Sequence, residues 1–75
     1  MFAERPMVFM RGHPFIFVPS ANAADVYDFV KKQCIAFAVS EAPARLVKFE
    51  FPSAKEADVE LLVTQLMKLP NGSPR

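Results

Sequence analysis

The chain has 75 residues, nine basic and eight acidic, for a net charge of +1, and 52% of it is hydrophobic, with eight Phe and four Met. A chain of that length makes one domain and buries only about 60% of the surface its unfolded form exposes, so its large apolar side chains outnumber what one small core hides. An interface that covers the remainder is expected.

The two signs of charge are interspersed, which leaves no basic footprint for a phosphate backbone. Cys34 is the only cysteine, so neither an internal disulfide nor a cysteine zinc motif can form. A reducing compartment follows, with Cys34 read as a small buried hydrophobe. No apolar run is long enough for a bilayer. Ala21-Asn22-Ala23 has the small-residue spacing of a signal-peptidase site, but Arg11-Gly12-His13-Pro14 splits the apolar stretch before it into runs too short for a signal core. The expectation is a cytoplasmic protein of one domain over 1–75, with a frayed lead-in at 1–6 and a flexible tail at 70–75.

Residues 7–10 and 15–18 are β-rich runs around a Gly-containing break and read as a hairpin, in preference to one long strand with a bulge at Gly12. Pro14 has no ladder donor, which places this segment near a sheet edge. Pro19-Ser20 closes the unit. Asn22 with Asp25 three residues on starts a helix over 23–33. Val26, Tyr27 and Val30 form its inner face, with Asp28, Lys31 and Lys32 in water.

Segment 34–40 fits two periods. As a strand it puts Ile35, Phe37 and Val39 on one face; as more helix it extends the Tyr27 and Val30 stripe through Cys34, Phe37 and Ala38. Its alternation of large β-formers with small residues, and the short link at 41–44, favour a strand in a hairpin.

Residues 45–51 give the clearest strand, Val47, Phe49 and Phe51 alternating with Leu46, Lys48 and Glu50. Pro52 ends it. Ser53 stands three residues before Glu56 with the spacing of a capping box, so a helix is expected over 53–69. Its apolar stripe is Val59, Leu62, Val63, Leu66 and Leu69, and Pro70-Asn71-Gly72 stops it.

The element order β(β)αββα defines an α+β fold, a small two-layer domain of helices on an antiparallel sheet. By analogy of element order alone it is the ferredoxin-like pattern without its last strand. One strand position would then be empty, and an open edge of that kind invites self-association as a symmetric dimer.

Residues that carry chemistry are sparse. His13, at the expected turn beside Arg11, could serve a small nuclease or hydrolase, since imidazole titrates near neutrality and guanidinium holds phosphate; no second acid or base is marked by spacing, and a surface turn residue is the plainer reading. Phe9, Phe15 and Phe17 have the spacing of a platform that stacks single-stranded nucleic acid, but only Arg5 and Arg11 are near them in sequence. There is no Gly-rich phosphate loop, nucleophile elbow or Cys/His ligand pattern.

The expectation is therefore a small non-enzymatic protein-binding module, a regulator, adaptor or inhibitor of a larger assembly, compact inhibitors of phage type included. It would act through an apolar face or an open sheet edge, without catalytic residues, cofactor or metal. Phe9, Arg11, His13, Phe15 and Phe17 are its candidate partner-binding residues. A nucleic-acid-binding regulator and a His13-dependent nuclease or hydrolase are the alternatives.

Overall fold

The structure is a computed structural model that describes residues 5–68. Alternation builds the first unit: strands β1 (Val8–Arg11) and β2 (His13–Pro19) form an antiparallel hairpin whose register pairs Phe9 with Phe15 and Arg11 with His13. The chain reverses at Gly12, which has φ +83°, a conformation that costs glycine little and other residues more. The hairpin reading of 7–18 therefore stands.

A single 3-10 turn, Ser20–Asn22, leads into helix α1 (Ala23–Lys32), and β3 (Ala38–Ala42) and β4 (Leu46–Glu50) follow as a second hairpin before helix α2 (Glu56–Met67). The described strands form one antiparallel sheet in the order β1-β2-β4-β3. Both helices pack on one face of it. Their shared core comprises Ile16 and Val18 of β2, Val26 and Val30 of α1, Phe49, Phe51, and Val59, Leu62, Val63 and Leu66 of α2. Full burial of a Val, Leu, Ile or Phe side chain contributes about 1.5–3 kcal/mol, so this layer carries most of the stability. The α+β class and the helix-on-sheet layering are as the sequence implies.

Several boundaries and placements differ from expectation. The hairpin lies near a sheet edge, as Pro14 implied, but the edge strand is β1, and β2, which carries Pro14, is internal between β1 and β4. Pro14 is tolerated because its place opposite Phe51 is the end of the ladder. The Phe51 N–H donates to the Pro14 carbonyl at 2.9 Å, while the Phe51 carbonyl, which Pro14 cannot serve, accepts from the Ala54 N–H at 3.2 Å.

The strand position that a ferredoxin-like order would give to a final strand, beside β2, is taken by β1. The N-terminal strand fills the site expected to be empty, so an empty position no longer motivates dimer formation.

Segment 34–40 does enter a strand, but four residues late. Cys34 takes a left-handed backbone (φ 59°) just after the α1 C-cap and donates its N–H to the Lys31 carbonyl, a helix-ending geometry that glycine usually provides. Cys34 is consequently exposed and not the buried hydrophobe expected of it. Tyr27, expected on the inner face of α1, is 43% exposed and leans edge-on against Phe37 at 5.3 Å.

Helix α2 begins at Glu56, three residues after the expected start. Ser53 sits in the preceding turn, and the returning half of a cap is made instead by Asp58, whose carboxylate accepts the Lys55 backbone N–H at 3.3 Å. A lysine ammonium has no acceptor, so the other half is not available from Lys55. The buried stripe Val59, Leu62, Val63 and Leu66 is as read from the sequence, while Leu69 and the stop at 70–72 lie outside the described residues. Within the expected lead-in at 1–6, Pro6 is buried and Arg5 forms an ion pair with Glu60 of α2; residues 1–4 are outside the description.

Candidate sheet-face site

A strand turns successive side chains to opposite faces, so once Ile16 and Val18 point to the helices, His13, Phe15 and Phe17 must point away from them. The β1–β2 register brings Phe9 opposite Phe15 and Arg11 opposite His13 on that same side. All five candidate residues, Phe9, Arg11, His13, Phe15 and Phe17, thus share the sheet face that no described element covers.

Three rings make its centre. Phe9 stacks on Phe15 at 5.4 Å between centroids, and Phe17 meets Phe9 and Phe15 edge-on, each at 5.6 Å. Such contacts contribute about 0.5–1.5 kcal/mol per pair beyond burial, enough to hold the rings as one patch. Phe9, on the outer strand, remains 38% exposed.

Strand β4 supplies the polar half of the face, with two residues beyond the five expected from the sequence. Glu50 accepts from or shares a proton with His13 Nε2 at 2.7 Å, and Lys48 Nζ lies 3.7 Å from the same carboxylate. The Lys48 ammonium also stands 4.4 Å from the centroid of the Phe15 ring, a cation–π contact. The His13 hydrogen bond holds the Glu50 carboxyl below its ordinary range; desolvation, the next largest effect, opposes it, and the positive charge of Lys48 adds a smaller lowering. The signal for these two residues was present in the alternation of 45–51, where Lys48 and Glu50 share the face opposite to Val47, Phe49 and Phe51. What sequence lacked was the register, Phe15 opposite Glu50 and Phe17 opposite Lys48, that sets them beside the phenylalanines.

The His13–Glu50 pair has the form of an oriented imidazole, but its setting is a shallow open face. The side chains are 39% and 28% exposed, and neither of two grooves on the molecule is lined by them. Among the described residues no group of three His, Cys, Asp or Glu side chains is placed to hold a metal ion, and no helix is long and apolar enough to cross a membrane. No family model, curated protein or solved structure matches the chain.

Proposed function

We propose that the protein is a small non-enzymatic protein-binding module whose contact surface is the uncovered sheet face, with a second copy of the chain as its first partner. The carrying observation is the Phe9, Phe15 and Phe17 cluster on a face that no described helix covers. Met7, 67% exposed, extends the apolar surface just before β1. A patch of packed rings with adaptable methionine at its margin has the composition of an interface centre. Arg11 and Lys48 lie on the same face as Glu50, so the face is complementary to itself in charge, as a two-fold contact requires. Regulators, adaptors and inhibitors of larger assemblies all work through surfaces of this kind.

Phe9, Phe15 and Phe17 also favour a nucleic-acid platform, the main alternative. Two features count against it. Phe15 already has Phe9 stacked beside it and the Lys48 ammonium over it, which takes the ring faces a base would need. Glu50 adds a carboxylate beside them, where a phosphate backbone would be repelled. A hydrolase centred on His13 would need a pocket and a nucleophile within reach, whereas His13 and Glu50 line neither of the two grooves described and the His13 ring nitrogen is engaged by a carboxylate.

Sedimentation across a micromolar range with Phe9→Glu beside the unaltered chain tests the proposal. Association that weakens in the variant supports it, and a salt-sensitive complex with single-stranded RNA in place of self-association would replace it with the nucleic-acid reading.

A further inference from the structure

A second surface lies on the opposite side of the sheet, at its other edge. In an antiparallel ladder, alternate residues of a strand direct both backbone groups to one neighbour and the residues between them to the other. The Phe51 N–H bond to the Pro14 carbonyl and the Ser20 N–H bond to the Arg45 carbonyl, each 2.9 Å, fix the phase for β4. By that phase Val47 and Phe49 direct their backbone groups to β2, and Leu46, Lys48 and Glu50 direct theirs to β3. Their partners in register are Ala42, Ser40 and Ala38. Val39 and Glu41 are left with N–H and C=O turned outward, along an edge where no described strand pairs.

The side chains of Val39 and Glu41 lie opposite Phe49 and Val47, on the helix side of the sheet. There a groove of about 540 Å³ runs between α1 and the β3 edge, its walls including Ala23, Ala24 and Tyr27 on the helix side and Val39, Val47 and Phe49 on the sheet side. The small side chains of Ala23 and Ala24 keep it wide. Its charged lining residues are Asp28 and Glu41, both acidic.

We propose that this edge and groove accept an extended segment of a partner protein by strand addition. The segment places an apolar side chain opposite Val39 and a lysine or arginine two residues away, opposite Glu41. Backbone hydrogen bonds to Val39 and Glu41 supply sequence-independent attraction, and the groove reads alternate side chains. The acidic lining selects a basic partner and disfavours a second copy, since joining two β3 edges would bring Asp28 and Glu41 of both chains together. The proposal is independent of the aromatic face, which lies on the other side of the sheet.

The test uses the isotopically labelled full chain and the peptide Thr-Val-Thr-Lys-Thr-Val-Thr-Lys, followed by NMR. The Val39 and Glu41 amides should shift and slow their hydrogen exchange on the order of tenfold at saturation, while the amides of Phe9 and Phe15 stay unchanged. Replacing the peptide's lysines by glutamates, or N-methylating its valines, should abolish binding. Glu41→Lys should weaken binding on the order of tenfold, and circular dichroism checks that this exposed substitution leaves the fold intact. Unperturbed Val39 and Glu41 amides at millimolar peptide would overturn the proposal. So would equal binding of the glutamate peptide, or protection of the edge that rises with protein concentration alone.

Discussion

Cys34, Ala44 and Arg45 hold left-handed backbone, with φ of 59°, 62° and 60°, and none is glycine. For an L residue that conformation costs roughly 1–2 kcal/mol, partly offset in a glycine variant by the freer unfolded chain. Cys34→Gly is therefore expected to raise stability by about 0.5–1 kcal/mol in urea denaturation. A loss would mean that α1 does not end in a left-handed turn. The relocated cap gives a second expectation. Asp58→Ala should cost on the order of 0.5–1 kcal/mol by freeing the Lys55 N–H, while Ser53→Ala stays within about ±0.5 kcal/mol. Glu50 bears on acid stability. Its folded carboxyl is held below its ordinary range, first by His13, so its contribution is present above the ordinary carboxylate range and is lost as pH falls through the lowered folded value. Denaturation midpoints measured from neutral pH into acid should fall less steeply for Glu50→Gln than for the unaltered chain; parallel curves would contradict the His13–Glu50 bond.

Element types were legible where periodicity was strong, and their ends were not. The stripe of α2 follows from spacings of three and four, and Leu62→Ala should cost on the order of 2–5 kcal/mol while Leu61→Ala, 58% exposed, changes little. Equal effects would mean that the helix is rotated about its axis. Segment 34–40 was harder, because Cys34 to Phe37 satisfy both periods and the decisive feature, a left-handed Cys34, has no sequence signature comparable to glycine. The start of α2 was misplaced for a related reason: Ser53 and Glu56 have capping-box spacing, but the chain turns once more before Lys55 and leaves the return bond to Asp58. Alternation puts His13, Phe15 and Phe17 on one side of β2, and the register of the expected hairpin adds Phe9 and Arg11. Lys48 and Glu50 joined them only through strand pairing, a long-range property that no local spacing encodes.

For the molecule as a whole, the N-terminal strand changes the reason for proposing association and leaves the aromatic face as its proposed site. β1 closes the sheet at the place where an open position was expected, so what stays uncovered is the aromatic face. Two helices cover one side of a four-strand sheet, and the described chain has no third layer for the other. A face bearing Phe9, Phe15 and Phe17 with Arg11, Lys48 and Glu50 around them is the strongest claim on a partner. Sedimentation equilibrium over a micromolar concentration range, with the unaltered chain, Phe9→Glu and the outer-helix control Thr64→Glu run together, tests it most directly. Concentration-dependent association of the unaltered chain and of Thr64→Glu, with Phe9→Glu held as monomer, is the expected result. An unaltered chain that stays monomeric throughout, or a Phe9→Glu variant that associates as strongly as Thr64→Glu, would contradict the assignment of the aromatic face as the self-association surface.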